Sequence, residues 1–212
     1  MTRLRPRSLR VYVVTSSGLA PGRGHRVVAR AALDGGASAI QLRAPGMPED
    51  ELLATAEEIA TWCRRAEVVF VVNDRVDVAA EVGAGAHVGQ GDDPMRARAV
   101  LGDLPLGISV STPEEAAAAE RAGADYLGLT VWATPTKPEA EAMGLEGLRA
   151  VAGSVSLPVV AIGGIDATNA QAVLDAGAAG VAVVSAIGAA PDPVAATREL
   201  VAMVTDDRVG ER

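Results

Sequence analysis

The sequence has 212 residues, of which 49% are apolar, and its 19 basic and 27 acidic side chains give a net charge of −8. So apolar a chain can bury a core, which excludes an intrinsically disordered protein. The acidic balance and the 2% of aromatic residues argue against a general nucleic-acid binder, because phosphates repel acidic surfaces and bases stack on aromatic rings.

Short runs rich in Val and Ile alternate along the chain with longer alanine-rich stretches. Most of the runs are apolar on both faces, which predicts parallel strands buried on both sides. The predicted strands cover residues 9–16, 38–44, 68–74, 86–90, 106–111, 125–131, 157–165 and 179–187. The predicted helices cover residues 23–34, 48–66, 75–82, 94–101, 112–122, 145–152, 167–176 and 192–205.

Proline and glycine mark the boundaries of these elements. Helix starts carry proline behind a capping residue, as at Thr112-Pro113, and helix ends carry glycine, as at Gly177. No linker or low-complexity segment divides the chain, so we expect one domain over residues 1–212. Eight strand–helix units favour a single (β/α)8 TIM barrel of the α/β class, with a doubly wound open sheet as the alternative.

The two ends of the chain and its single cysteine bear on where the protein works. We expect residues 1–8 to form a solvated lead-in, not a signal peptide, and residues 207–212 to form a C-terminal tail. No stretch reaches the roughly 18–20 apolar residues that a membrane span needs. Because Cys63 is the single cysteine of the sequence, an internal disulfide and a cysteine-based zinc site are excluded. A single cysteine also favours a protein of the reducing cytoplasm.

Polar residues gather where the predicted strands end. In a (β/α)8 barrel, catalytic residues lie on the loops that follow the carboxyl ends of the strands. The polar residues at these positions are Gln41, Arg43, Asn73, Asp74, His87, Gln90, Asp92, Ser109, Ser111, Lys137 and Ser185. The pattern predicts one polar rim and therefore an enzyme.

The last two predicted strands end in a pattern typical of phosphate binding. Gly163-Gly164 and Val184-Ser185 follow strands seven and eight, whose loops commonly hold a phosphate in this fold. Glycines let backbone N–H groups approach the anion, and the serine adds a hydroxyl. Alternatively, the glycine pair forms only a tight turn.

Carboxylates after strands three and four suggest a cation site. Asp74 and Asp92 lie on neighbouring loops, and Mg²⁺ usually takes one or two protein carboxylates together with water and substrate oxygens. Each aspartate has an alternative role as the N-cap of the helix that follows it. The pair above a phosphate site favours magnesium.

Two cations stand close to this rim. Arg43 ends a buried strand, where it can bind a phosphate with both of its amino groups or form an ion pair with Asp74. Lys137 lies in the loop of residues 132–144, which is either a substrate lid or a surface excursion. His87 is better explained as a satisfied core or rim histidine than as a catalytic base. The residues thus predict a magnesium-assisted enzyme acting on a phosphorylated or pyrophosphorylated small molecule.

Six segments in register resemble the thiamine phosphate synthase (thiamine-phosphate pyrophosphorylase) family, from about residue 11 to residue 190. The segments are GGASAIQLRAPG, VVNDRVDVA, HVGQGDD, LGISVSTPEEA, DYLGLTVWATPTKP and VVAIGGIDATNAQAVLDAGAAGVAVVSAI. The resemblance implies a transferase that condenses 4-amino-2-methyl-5-(diphosphooxymethyl)pyrimidine with a thiazole phosphate. The products are thiamine phosphate and pyrophosphate, and the expected path is a magnesium-assisted dissociative displacement.

The resemblance also implies a role for each matching residue. Arg43, Ser109 and Lys137 are implied as catalytic residues, and Asp74 and Asp92 as the ligands of Mg²⁺. The implied substrate-binding residues are Gln41, Arg43, Asn73, Ser109, Thr134, Thr136, Lys137, Gly164, Val184 and Ser185. Small molecules are the only partners implied, with neither nucleic acid nor membrane, and a homo-oligomer is left open.

The sequence departs from the family pattern at two places. Pro45 stands where the family usually has a lysine two residues after the arginine, and the segment before Trp132 is one residue short. The related thiazole tautomerase resembles the synthase in fold but uses a histidine where this chain has Ser111. A third alternative is a non-catalytic barrel that senses thiamine metabolites, against which Asp74 and Lys137 argue.

Overall fold

The computed structural model describes residue 4 and residues 6–133 and 141–205. The strands are β1 (Val11–Thr15), β2 (Ala39–Leu42), β3 (Val69–Asn73), β4 (Gly85–Val88), β5 (Leu106–Ser109), β6 (Tyr126–Thr130), β7 (Val159–Ile162) and β8 (Gly180–Val183). The helices are α1 (His25–Asp34), α2 (Glu49–Ala66), α3 (Val76–Glu81), α4 (Pro94–Leu101), α5 (Pro113–Arg121), α6 (Gly144–Ala152), α7 (Ala170–Asp175), α8 (Ser185–Gly188) and α9 (Pro193–Thr205). Strands and helices alternate along the chain as the sequence predicted.

The eight strands pair in chain order, all parallel, and close into a barrel. The seam is the pairing of β1 with β8, in which Val11 lies beside Val181 and Val13 beside Val183. Closure confirms the TIM barrel and excludes the open sheet. It also brings the carboxyl ends of all eight strands to one mouth.

The chain departs from the predicted elements at both ends of the barrel. Strand eight was predicted to run to residue 187, but β8 ends at Val183 and Ser185–Gly188 form the short helix α8. A short apolar run does not distinguish a buried strand from a helical turn, which explains the error. At the other end, Pro6–Leu9 form a 3-10 helix that spans the boundary between the predicted lead-in of residues 1–8 and the strand predicted from residue 9.

Side chains of each strand alternate between two apolar layers. Val11 and Val13 of β1 pack outward against the helices, whereas Tyr12 and Val14 point into the barrel. Because both faces are buried, the strands read as continuous apolar runs in the sequence.

Helix α2 packs one face on the barrel and leaves the other in solvent. Its first turn is acidic and its last turn is basic, an arrangement that complements the helix dipole. Leu52, Ile59 and Cys63 lie on the buried face. None of the described helices is long and apolar enough to cross a membrane.

We predict that the thiol of Cys63 does not react with thiol reagents in the native protein. Only 1% of the residue is exposed, and burial raises the pKa of its thiol to about 12. At pH 8 the reactive thiolate is then about a thousandfold scarcer than for an ordinary cysteine. A chromogenic disulfide reagent should detect no thiol in native buffer and one thiol per chain in guanidinium chloride. Rapid reaction in native buffer would contradict the packing of α2.

Candidate active site at the carboxyl ends of the strands

A cavity of about 490 Å³ opens at the mouth of the barrel, a volume typical of small-molecule sites. Its lining draws on all eight strands, and five of them contribute predicted site residues. These residues are Gln41, Arg43, Asn73, Ser109, Gly164, Val184 and Ser185. The polar rim that the sequence predicted is therefore a real concavity.

The remaining five predicted site residues fall into two groups. Asp74 and Asp92 are exposed and lie outside the set of described residues that line the cavity. Thr134, Thr136 and Lys137 lie outside the described residues. The lining also includes Tyr12 and Tyr126, which the sequence analysis did not select.

A chain of four hydrogen bonds crosses the inner end of the cavity. The Nε2 amide of Gln41 donates to the hydroxyl of Tyr12 at 3.0 Å, and that hydroxyl lies 2.9 Å from the hydroxyl of Tyr126. The Tyr126 hydroxyl lies 3.1 Å from Nδ1 of His87, and Nε2 of His87 lies 2.9 Å from Oγ of Ser109. Two predicted substrate-binding residues, Gln41 and Ser109, are thereby connected through the interior.

Both tyrosines of this chain are neutral. Their side chains are buried, and burial raises the pKa of Tyr12 and of Tyr126 well above the ordinary value. Burial of the phenolate in so dry a place is unfavourable, so each ring keeps its hydroxyl hydrogen. Every hydroxyl therefore remains able to donate, and no buried polar side-chain atom of the described residues lacks a partner.

The rings fit inside the barrel because a glycine faces them. A Cβ atom on Gly107 of β5 would overlap the rings of Tyr126 and His87. The two rings lie with their centroids 5.5 Å apart. One feature of the sequence could have pointed to these tyrosines. Aromatic residues are scarce throughout the chain, yet its two tyrosines both lie inside predicted strands.

Asp74 adopts a backbone conformation that few side chains tolerate. Its φ of 60° lies in the left-handed region, where aspartate and asparagine are favoured among non-glycine residues. Its N–H donates to the carbonyl of His87 at 2.9 Å, so the turn is fastened to the end of β4. The N-cap alternative is wrong, because Arg75 occupies the N-cap position of α3.

Asp92 is tied to the end of the same strand. Its Oδ2 accepts the N–H of Gly89 at 2.8 Å, immediately after β4. Here too the N-cap alternative is wrong: Asp93 caps α4 by accepting the N–H groups of Met95 and Arg96. Neither aspartate thus occupies the N-cap position of a helix.

Arg43 lies half-buried just beyond the end of β2 and lines the cavity. Its N–H donates to Oγ1 of Thr15 at 3.4 Å, and that hydroxyl lies 2.8 Å from Nδ1 of the buried His25. No carboxylate of the described residues forms an ion pair with its guanidinium. Within the described chain, the alternative of an ion pair with Asp74 is therefore not realised.

The glycine pair after β7 turns the chain sharply across the cavity. Gly163 and Gly164 have φ values of 105° and 61°, in the left-handed region that glycine adopts without strain. A Cβ on Gly163 would overlap the carbonyl oxygen of Trp132, so the two loops pack backbone on backbone. The same two glycines therefore form a tight turn and line the cavity.

Comparison with known proteins identifies relatives over nearly the whole chain. A family model described as thiamine monophosphate synthase matches residues 11–187. A thiamine-phosphate synthase of Chloroflexus aurantiacus is 50% identical, covering 92% of this chain and 93% of that protein. One of Methanospirillum hungatei is 46% identical, covering 89% and 94%. The solved thiamine phosphate pyrophosphorylase of Pyrococcus furiosus superposes with a TM-score of 0.87 at 42% identity, covering 94% and 96%.

We predict that the two tyrosine hydroxyls are energetically coupled. Tyr126→Phe removes the central hydroxyl and leaves Tyr12 with a lost partner, so it should lower the free energy of unfolding by about 1–3 kcal/mol. Tyr12→Phe should cost a similar amount. The double variant should cost clearly less than the sum, because no buried hydroxyl is then left unpaired. Urea unfolding of the four proteins measures the coupling, and strictly additive losses would refute it.

Proposed function

Since the chain belongs to the thiamine monophosphate synthase family, we propose that its cavity joins the pyrimidine diphosphate to the thiazole phosphate. The bond between the pyrimidine methylene carbon and the diphosphate oxygen breaks, and pyrophosphate leaves. A carbon–nitrogen bond to the thiazole forms, giving thiamine phosphate. The observation that carries this proposal is the convergence of seven family site residues on one cavity.

The strand order supports a site in which the two anionic groups bind on opposite sides of the cavity. In an eight-stranded barrel β3 lies across from β7 and β4 across from β8. Asn73 at the end of β3 thus faces Gly164 after β7 across the cavity. A diphosphate on the β2–β4 side and a phosphate on the β7–β8 side leave the reacting carbon and nitrogen between them.

The residues on the diphosphate side stabilise the leaving group. Arg43 offers a planar guanidinium that binds phosphate oxygens through two parallel hydrogen bonds, and Asn73 adds an amide. Ser109 presents a hydroxyl whose oxygen lies 2.9 Å from Nε2 of His87. We assign Lys137 as a second cation on the same group. Charge that develops on pyrophosphate meets donors already in place, which is the usual source of the largest rate gain.

No residue of the chain needs to attack the substrate. The electron-rich aminopyrimidine carries the cation that forms as pyrophosphate departs, and the thiazole nitrogen then adds to the methylene carbon. Gly164, Val184 and Ser185 hold the thiazole by its phosphate, with Thr134 and Thr136 as further contacts. The chain's contribution is orientation and charge stabilisation.

Asp74 and Asp92 fit the requirements of a magnesium site. Both carboxylates are exposed, and both residues are fastened to the end of β4 through hydrogen bonds to the residues His87 and Gly89. Among the described residues no cluster of three or more ligating side chains exists, so substrate oxygens and water would complete the shell, as Mg²⁺ prefers. When bound, Mg²⁺ neutralises charge on the departing pyrophosphate.

The experiment that tests the function incubates the purified protein with both substrates and Mg²⁺ and looks for thiamine phosphate. Product formation is expected. Binding of either substrate without turnover would favour a non-catalytic metabolite-binding barrel instead.

The tautomerase alternative requires a histidine that this chain lacks. Ser111 stands at that position, and its N–H donates to the carboxylate of Glu115. The single buried thiol suits the reducing cytoplasm, where we place the enzyme.

We predict that Arg43→Ala damages catalysis more than folding. Loss of a charge-assisted contact to the leaving group should lower kcat/KM about 10²- to 10³-fold. The melting temperature should change by no more than about 2 °C, because the side chain makes no ion pair within the described residues. Arg96→Ala, which removes an exposed arginine from α4, serves as the control and should leave both values unchanged. A large drop in melting temperature with normal turnover would make Arg43 a structural residue.

We predict that Asp74→Asn raises the Mg²⁺ concentration needed for half-maximal activity at least about tenfold, since even indirect supports of a metal site cost that much. Asparagine tolerates the left-handed backbone, so the substitution removes the charge and keeps the turn. Asp93→Asn removes a neighbouring charge and keeps the helix cap, and it should behave as the wild type. Equal magnesium dependence in the two variants would exclude Asp74 as a ligand.

A further inference from the structure

The loop between β1 and α1 reaches across the seam of the barrel to the segment that follows α8. The guanidinium of Arg23 donates to the carbonyl oxygens of Gly188 at 3.4 Å, of Ala190, and of Pro191 at 2.8 Å. One side chain thus gathers three carbonyls of a different loop, more than 160 residues away in sequence.

Only one of these carbonyls, that of Gly188, belongs to α8, and the other two lie in the segment that follows the helix. A carbonyl at the end of a helix has no intrahelical donor, so the contact with Gly188 satisfies a group that the helix leaves unpaired. Arg23 forms no ion pair with any carboxylate of the described chain, so peptide dipoles alone balance its charge. Its planar fork suits several acceptors at once.

A second contact from the same loop supports the same segment. Leu19 packs on Gly188 so closely that a Cβ on that glycine would lie 2.6 Å from Cδ1 of Leu19. The β1–α1 loop therefore holds the end of α8 by one polar and one apolar contact.

The end of α8 is only one turn away from the cavity. The N–H of Gly188 donates to the carbonyl of Val184 at 2.8 Å, and the N–H of Ala189 donates to the carbonyl of Ser185 at 3.0 Å. Val184 and Ser185 line the cavity, whereas Arg23 does not. The turn that faces the ligand is thus fixed by β8 on one side and by Arg23 on the other.

We propose that Arg23 is a positioning residue for a phosphate monoester: it holds the turn of Val184 and Ser185 in the conformation that accepts the phosphate of the thiazole substrate. The inference rests on the proposed function in that it assigns this phosphate to the β8 side. It is confined to one of the two substrates, because Arg43 and Asn73, which we assign to the diphosphate, follow β2 and β3 and not β8.

The test measures binding and turnover separately. Calorimetric titration of Arg23→Ala with the thiazole phosphate should show an affinity about tenfold weaker than that of the wild type, the size of effect expected for a lost charge-assisted hydrogen bond. The affinity for the pyrimidine diphosphate should stay within about twofold. In steady-state assays the KM for the thiazole phosphate should rise while kcat stays close to normal.

Two further variants sharpen the result. Arg23→Lys keeps the charge but not the planar fork, so it should recover part of the lost affinity. Arg26→Ala removes the neighbouring arginine, whose exposed ion pair with Glu58 at 2.5 Å touches no part of α8, and should match the wild type.

The outcomes separate this inference from the proposed function. Unchanged affinity for the thiazole phosphate, or an equal loss for both substrates, would overturn the role of Arg23 even if turnover is normal. A selective loss of thiazole phosphate affinity without any turnover in the wild type would uphold Arg23 and overturn the reaction. A loss confined to the pyrimidine diphosphate would overturn the assignment of the two substrates to their sides of the cavity.

Discussion

The hydrogen bond between the hydroxyls of Tyr12 and Tyr126 is the interaction on which the site depends. It joins β1 to β6, two strands that are not neighbours in the barrel, and so it spans the interior directly. Each hydroxyl also has a second partner, Gln41 for Tyr12 and His87 for Tyr126, and a buried polar group without any partner would cost about 1–3 kcal/mol. The pair therefore makes a polar layer stable inside an apolar barrel, and the cavity begins where this layer ends. Gln41 and Ser109 are placed by its two extremities.

Because the barrel is closed, the polar layer of Tyr12 and Tyr126 lies between opposite sides of one cavity. On the proposed assignment, the residues suited to a diphosphate and those suited to a phosphate lie on different sides of the closed ring of strands. The two neutral tyrosines between them add no charge to compete with either anion. An acidic protein, with a net charge of −8, then holds anionic substrates because backbone N–H groups and Arg43 supply the local positive field.

Sequence periodicity was sufficient for the barrel because the strands are buried on both faces and alternate regularly with helices along the chain. It was insufficient wherever the decisive contact is distant. Tyr12 and Tyr126 are 114 residues apart, and nothing local to either shows that they meet. Asp74 and Asp92 look like helix caps in sequence, yet Arg75 and Asp93 occupy those positions. Helix α3 begins one residue later than predicted, and α4 begins at the predicted Pro94, directly after Asp93. Helix α8 escaped prediction since four residues are too few to show a period.

The seam between β1 and β8 has a consequence for how the chain folds. Every other strand pair joins segments that follow each other closely, such as Val71 and Gly85, which are 85 − 71 = 14 residues apart. Val11 and Val181 at the seam are 181 − 11 = 170 residues apart. By the logarithmic dependence of loop-closure entropy on length, closing the longer loop costs about 2 kcal/mol more. Chain entropy therefore delays the seam relative to the seven local pairings, and the contact of Arg23 with the α8 segment, which crosses that seam, can form only when the barrel has closed.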